Sequence, residues 1–373
     1  MRPIAVAAAQ MGPVQPDESR ASAVERMIAL LRTAAERGAE LVVFPELALT
    51  TFFPRYDLSG AALDACYETE MPGVDTKPLF DEAVRLGVGF ALGYAELTPN
   101  GHRYNSMVLV ERDGSTVATF HKVHIPGHEE PEGWRRFQHL ERRYFEPGPE
   151  GFAVHDAFGG RIGMAICNDR RWPETYRVMG VQGVELVLIG YNTPLHYAPD
   201  PNQDRLAGFH NNLVMAAGAY QNGTWVVGAA KGGVEDGVDL LPESQIIAPT
   251  GEVAARCTTS GDEVVVAVCD LDRCAEIRET VFDFGRYRRP EVYGPITEPG
   301  RPSPRRRAGP RRWPGQPAGR APPRRSSAGR PARRSTVATT SRRRAGAPDR
   351  RSGAAARPPT AARAAGPPTS GGG

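Results

Sequence analysis

Gly163-Met164-Ala165-Ile166-Cys167-Asn168-Asp169-Arg170-Arg171-Trp172-Pro173-Glu174 runs as a hydrophobic strand into one cysteine and then abruptly into charge. The strand opens at Arg161 and stops at Ile166. Cys167 therefore stands at a strand exit, where functional side chains collect in α/β proteins. A free cysteine is more often a small buried core residue, and that reading suits Cys66, Cys257, Cys269 and Cys274. At Cys167 the charged run that follows argues against it.

Two further strand exits carry chemistry. Leu41-Val42-Val43-Phe44 is a short, fully buried strand ended by Pro45, and Glu46 follows at its mouth. A carboxylate there is either a solvated loop residue or a functional acid. Thr116–Phe120 is the returning strand of a hairpin turned at Asp113-Gly114, and it leads into His121-Lys122-Val123-His124-Ile125-Pro126-Gly127. The chain holds only three lysines, Lys77, Lys122 and Lys231. A lysine kept in so arginine-rich a composition suggests a place where a compact point charge serves and a planar fork would not fit.

The rest of the body alternates in the same way. Ile4–Ala9, Gly87–Ala95, Asn105–Glu111, Val184–Ile189, Trp225–Ala229 and Glu263–Cys269 read as strands, with a hairpin around Pro249-Thr250-Gly251. Val24, Met27, Ile28, Leu30, Leu31 and Ala34 form a helical stripe within Ser22–Arg37. Leu79–Leu86, Arg205–Tyr220 and Asp270–Phe282 are the other predicted helices. Strands alternating with helices and hairpins indicate an α/β sandwich with mixed sheets. No repeat of fixed period is visible, and the periodicity stops near Pro295.

Charge divides the chain in two. Residues 301–373 hold nineteen arginines, no lysine and one acid, Asp349, for +18; the whole chain is +3, so residues 1–300 carry −15. Apart from alanine and proline, the segment's apolar residues are Trp313 and Val337. It cannot offset its ordering entropy by burial and is expected to be disordered over 299–373, beyond a folded domain of 1–298. A polycation can tether nucleic acid or an anionic surface. No folded motif or aromatic interleaving supports specific recognition. The plainer reading is an extension of the kind GC-rich DNA encodes beyond a stop or in a shifted frame, touching nucleic acid only nonspecifically if at all. No apolar run approaches the ~18 residues of a membrane span. Ile4–Ala9 is too short for a signal-peptide core. Five cysteines without a CxxC pair suggest reduced thiols and a cytoplasmic setting, and no cysteine metal site.

Taken together, Phe44-Pro45-Glu46-Leu47, His121-Lys122-Val123-His124 and Ile166-Cys167-Asn168-Asp169 resemble the Glu-Lys-Cys signature of the nitrilase superfamily, in the same order and with steps of 76 and 45 residues. Each motif alone is weak; three at strand ends in order are specific. The resemblance spans roughly Arg2 to Ile296. Phe137–Gly148, Cys167–Thr175 and Gly190-Tyr191-Asn192-Thr193-Pro194 are similar, more narrowly, to N-carbamoyl-D-amino acid amidohydrolases. The resemblance implies a four-layer α-β-β-α sandwich, a homodimer or homotetramer, and no metal or organic cofactor. It also implies hydrolysis of N-carbamoyl-D-amino acids to the amino acid, carbon dioxide and ammonia.

In that chemistry Glu46 is the general base for Cys167, since a free thiol of pKa ~8.5 is mostly protonated at neutral pH. Lys122 favours the thiolate and then meets the oxyanion with a backbone N–H beyond Cys167. A carbamoyl-thioester forms and water, activated by Glu46, releases it. The resemblance makes Glu141 a fourth catalytic member, in preference to a helix-surface acid paired with Arg142 or Arg143. It gives His124 and His139, and more weakly His210, supporting roles beside the acids and the lysine. Arg170 and Arg171 are candidates to clamp a substrate carboxylate through a bidentate fork; the alternative is a charged turn paired with Asp169 or Glu174. Asn168 and Asn192 are candidates for polar substrate contacts. An aliphatic amidase, a nitrilase or a β-ureido acid hydrolase would share the same triad.

Overall fold

A computed structural model describes residues 1–298; the arginine-rich segment 299–373 lies outside the described residues. In chain order the first elements are β1 (Pro3–Gln10), α1 (Arg20–Glu36), β2 (Leu41–Val43), α2 (Gly60–Asp64), α3 (Lys77–Leu86), β3 (Gly89–Leu97), β4 (Arg103–Val110) and β5 (Thr116–His121). Then come α4 (Glu141–Tyr144), β6 (Val154–Ala157), β7 (Gly160–Ile166), α5 (Pro173–Val181), β8 (Leu186–Tyr191), α6 (Ala207–Asn222) and β9 (Trp225–Ala230). They are followed by β10 (Gly233–Glu235), β11 (Val238–Leu240), β12 (Gln245–Ile247), β13 (Val253–Arg256), β14 (Glu263–Asp270) and α7 (Arg273–Arg278).

Two six-stranded sheets form, ordered β14-β1-β2-β3-β4-β5 and β6-β7-β8-β9-β12-β13. In the first, β1-β2-β3 are parallel and the other pairs antiparallel. In the second, β7-β8-β9 are parallel and the others antiparallel. The two sheets thus repeat one pairing pattern, strand for strand, although the sequence shows no fixed period. Pairing rests on backbone hydrogen bonds, which leave no residue signature at a constant spacing.

Side-chain alternation stacks the layers. Val6, Ala8, Leu41, Val43, Met107 and Leu109 face the other sheet and meet Met164, Ile166, Val187 and Ile189. Their neighbours Ala7, Ala9, Val42, Val108 and Val110 face outward onto Val24, Met27 and Leu31 of α1 and Leu79, Phe80 and Ala83 of α3. Strands covered on both faces must be apolar throughout, which is why β2 and β8 read as unbroken hydrophobic runs. On the far side Tyr176 and Met179 of α5 and Met215 and Ala219 of α6 are buried against the second sheet. The result is the four-layer α-β-β-α sandwich.

The helix predicted over Asp270–Phe282 is present but shorter, spanning Arg273–Arg278. Asp270 still pairs with Pro3 in the β14–β1 ladder, and its carbonyl accepts the Trp225 indole N–H at 2.9 Å. Helix begins only at Arg273. The helix predicted from Arg205 starts at Ala207, because Pro201–Leu206 forms a 3-10 turn capped by Asp200.

Candidate active site

Glu46 is wedged between the sheets. A Cβ on Gly93 of β3 would lie 2.5 Å from the Pro45 carbonyl oxygen and 2.7 Å from Glu46 Cα. One on Gly190 of β8 would lie 2.8 Å from the Glu46 nitrogen. Both sheets therefore need glycine where they press on the Pro45-Glu46 backbone. Glu46 is fully buried. Its Oε1 accepts from Lys122 Nζ at 2.6 Å and from Asn105 Nδ2 at 2.8 Å, and Oε2 accepts from the Asn192 backbone N–H at 3.0 Å.

Lys122 follows β5 directly. Its N–H donates to the Asn105 carbonyl and its own carbonyl accepts from the Gly148 N–H, both at 2.9 Å. With that backbone held on two sides, the buried ammonium also donates to Glu141 Oε2. Glu141, at the start of α4, is 1% exposed and so is no surface acid paired with Arg142 or Arg143. His139 Nε2 lies 2.9 Å from its Oε1.

Cys167 has φ +46°, a left-handed conformation that costs a non-glycine residue roughly 1 kcal/mol or more. The following 3-10 turn, Cys167–Arg171, holds it there. Buried Asp169 accepts from the Ile166 N–H at 3.1 Å through Oδ2, and from the His124 N–H at 2.8 Å through Oδ1. Arg170 Nη1 donates to the Cys167 carbonyl at 2.6 Å and lies 3.7 Å from Sγ. The Asn192 carbonyl is 3.7 Å from Sγ and Thr193 Oγ1 3.9 Å. The strained turn presents Sγ toward the residues that leave β8. It also opens with N–H groups that a short turn leaves without internal partners.

Charges in this dry space shift one another. Burial raises the Glu46 pKa and the Glu141 charge adds to it, against the opposing pull of Lys122. Burial would raise Glu141 too, but the Lys122 ammonium and then His139 hold it below the ordinary carboxylate range. Burial pulls Lys122 down, yet Glu141 and Glu46 more than offset that and keep it protonated. The Cys167 thiol is pushed up by burial and by Glu46, which outweigh Lys122 and Arg170. Lys122 does pull toward the thiolate, as expected, but burial and the Glu46 charge outweigh it, so the thiol needs the neighbouring carboxylate of raised basicity to take its proton.

The remaining candidates divide. His124 Nδ1 is 2.8 Å from Asp169 Oδ1, and its ring stacks on Trp172 at 5.0 Å. Asn168 Nδ2 donates to the His124 carbonyl at 3.0 Å, so it braces the strand exit beside Lys122. Asn192 is 2% exposed, and its side-chain Oδ1 and Nδ2 have no hydrogen-bond partner among the described residues. Arg170 turns inward, its Nε donating to Asn211 Oδ1 and Nη2 to Thr193 Oγ1, each at 3.0 Å, with its guanidinium 4.2 Å from the Tyr191 ring centroid. That is a fixed support for the nucleophile turn, not a free clamp. Arg171 is exposed and makes no hydrogen bond or ion pair among the described residues. His210 makes no hydrogen bond to the acids, the lysine or the cysteine; the register of α6 sends its neighbour Asn211 inward to Arg170 instead.

Sequence reasoning missed Asn105, Asp169, Thr193 and Asn211, whose partners come from distant strands and helices. It also passed over a buried Lys231-Glu235-Arg55 group, although lysine scarcity pointed at Lys231 as it did at Lys122.

Fold and site define a cysteine hydrolase of carbon–nitrogen bonds. The carbon-nitrogen hydrolase family model matches residues 5–279, and the chain belongs to that family, within the nitrilase superfamily. It is 30% identical over 304 residues to the N-carbamoylputrescine amidase of Oryza sativa subsp. japonica, covering 78% of this chain and 93% of that one. It is 29% identical over 287 residues to a citrullinase of Francisella tularensis subsp. tularensis, covering 75% and 94%. In three dimensions it resembles a carbon-nitrogen hydrolase from Helicobacter pylori G27, with TM-score 0.69 at 23% identity over 80% of this chain and 99% of that one. An amidase from Nesterenkonia sp. AN1 shares the fold at TM-score 0.57 and 19% identity, covering 75% and 98%.

Proposed function

We propose that this enzyme removes the carbamoyl group from N-carbamoyl amino acids, with the D series as the preferred substrates. The observation that carries the carboxylate part is Arg171, an exposed guanidinium without a partner among the described residues, on the turn that presents Cys167. An unpaired arginine fork at that place suits an amino acid's carboxylate. The relatives named for carbamoyl and citrulline substrates support a ureido group. The preference for D substrates rests on the similarity of Phe137–Gly148 and Cys167–Thr175 to the D-carbamoyl hydrolases.

In the reaction Cys167 Sγ attacks the ureido carbon as its proton passes to Glu46. The Lys122 ammonium and an N–H of the 167–171 turn hold the oxyanion. Collapse breaks the bond to the terminal nitrogen, which leaves as ammonia with the proton from Glu46. The thioester now carries the amino acid nitrogen. Glu46 deprotonates water, water releases the N-carboxy amino acid, and that loses carbon dioxide. A carboxylate of raised pKa suits the alternation of base, acid and base. Glu141 keeps Lys122 charged, and the orphan amide of Asn192 is available to the ureido group.

A homodimer or homotetramer accords with the apolar side chains that α5 and α6 leave outside, among them Val178, Val181, Phe209, Leu213 and Tyr220. Five free cysteines accord with a reducing cytoplasm. Among the described residues no helix is long and apolar enough to cross a membrane.

Ammonia release from N-carbamoyl-D-phenylalanine, its L enantiomer, a simple amide and a nitrile tests the assignment. Turnover of the D ureido acid well above the rest is expected; faster turnover of the amide or nitrile would overturn it. A ureido hydrolase for substrates without a carboxylate is the competing reading, favoured by the N-carbamoylputrescine amidases among the relatives. It predicts turnover of N-carbamoylputrescine above that of any carbamoyl amino acid.

A further inference from the structure

Behind the site lies a second group of buried charges that the reaction does not use. Lys231 follows β9, and its backbone is gripped by the exits of two other strands: its N–H donates to the Tyr191 carbonyl at 3.2 Å, and it bridges Met11 after β1. Its fully buried ammonium donates to the Thr50 carbonyl at 2.6 Å and to Glu235 Oε2 at 3.0 Å. Glu235, also fully buried, accepts from the Phe52 N–H at 2.8 Å, the Val14 N–H at 3.0 Å and Arg55 Nη2 at 3.2 Å. Arg55 Nη1 closes the knot on the Glu235 carbonyl at 2.7 Å.

What this knot holds is the loop that leaves Glu46. That loop in turn holds the other catalytic acid. The Arg55 carbonyl accepts from the Gln138 N–H at 3.0 Å and the Pro54 carbonyl from the Leu140 N–H at 2.7 Å. Phe52 meets His139 edge-on with centroids 6.0 Å apart. Leu140 caps α4, whose first residue is Glu141. We infer that the Lys231-Glu235-Arg55 knot is a positioning device for the reaction, fixing Glu46 and Glu141 relative to each other through residues 50–55 and 138–140. Buried ions are costly to desolvate, and well-packed apolar residues would serve stability as well. What ions add is directional bonding that admits one arrangement of the loops.

The knot also acts through charge. With all three groups ionised it carries a net +1; burial pulls the Lys231 pKa down, against the upward pull of the Glu235 charge and, more weakly, of the Glu46 charge. The other charged or titratable groups that face Glu46 are Lys122 beyond β5, Glu141 on α4 and Cys167 beyond β7. Removing the Lys231 charge should make Glu46 a stronger base; removing the Glu235 charge should make it a weaker one. A scaffold without electrostatic reach would not separate the two changes by sign.

The test is the pH dependence of Cys167 alkylation by iodoacetamide, followed on the Cys167 peptide by mass spectrometry in the full chain. It needs no substrate, so it stands apart from the substrate assignment. Lys231→Met should move the acid limb of alkylation up by about half a pH unit or more, and Glu235→Gln should move it down by a similar amount. Lys231→Arg should restore the wild-type limb while losing part of the turnover rate, because the fork cannot repeat both short contacts. If Glu235→Gln does not fold, the contrast between methionine and arginine at position 231 decides alone. Limbs that stay put in all variants, or move the same way in Met and Arg, would overturn the inference.

Discussion

Glu141→Gln is the substitution that most directly tests the charge arrangement. The two carboxylates flank one ammonium, and two short hydrogen bonds through Lys122 Nζ put their oxygens no more than about 5 Å apart. At an effective dielectric near 20, like charges at that distance repel by about 3 kcal/mol, equivalent to roughly two pH units. That repulsion helps raise Glu46, so its removal should lower Glu46. The group whose pKa falls is the base, and the base must be ionised to accept the thiol proton. The acid limb of kcat/KM should therefore move down by about one to two units. The plateau should fall as well, because a weaker base drives proton transfer less and Lys122 loses a charge-assisted bond of about 1.5–3 kcal/mol. A loss of roughly ten- to a thousandfold is expected. Ammonia release across pH 4–9, beside alkylation of Cys167 and a melting curve for integrity, makes the measurement. An acid limb that stays in place or rises in a folded variant would refute the reasoning and put Glu141 outside the coupled group.

Cys167→Ala should abolish turnover and leave the melting temperature near wild type, since the turn is held by Asp169 and Arg170 and not by Sγ; measurable ammonia release from purified Cys167→Ala would remove the nucleophile assignment. Arg171→Gln should lower kcat/KM for a carbamoyl amino acid roughly ten- to a hundredfold more than for its carboxamide, from the loss of one charge-assisted contact. Arg170→Gln should depress both substrates alike, because it loosens the Cys167 carbonyl; the ratio of the two rates separates the arginines, and an unchanged ratio in both would favour the carboxylate-free reading. Gly93→Ala should cost about 1–3 kcal/mol by driving a methyl group into the Pro45-Glu46 backbone, and activity should fall with it. Gly133→Ala, where nothing lies within 4 Å, is the control, and equal melting temperatures for the two would contradict the wedge.

Local patterning determined much of this protein without any structure. Period-two burial and short apolar runs located most strands, because a chain segment covered on both faces can carry little else. The three strand-exit motifs brought Glu46, Lys122 and Cys167 forward, because abrupt changes from apolar to charged are visible along the chain. Tertiary structure decided the rest through contacts between residues far apart in sequence. Arg170 and Arg171 are indistinguishable as neighbours in a sequence. A 3-10 turn sends one under the cysteine to Thr193 and Asn211 and leaves the other in solvent. His210 is the weakest of the three histidine candidates, and a helix of 3.6 residues per turn, which rotates adjacent side chains about 100° apart, turns Asn211 inward in its place. Asn105 carries no local signal for its bond to Glu46, nor does Glu235 for its bonds to Val14, Phe52 and Arg55, since contacts between residues far apart in the chain depend on packing distance. The raised pKa of Cys167 is likewise a property of the assembled site: burial and the Glu46 charge push it up, and burial exists only once both sheets have closed.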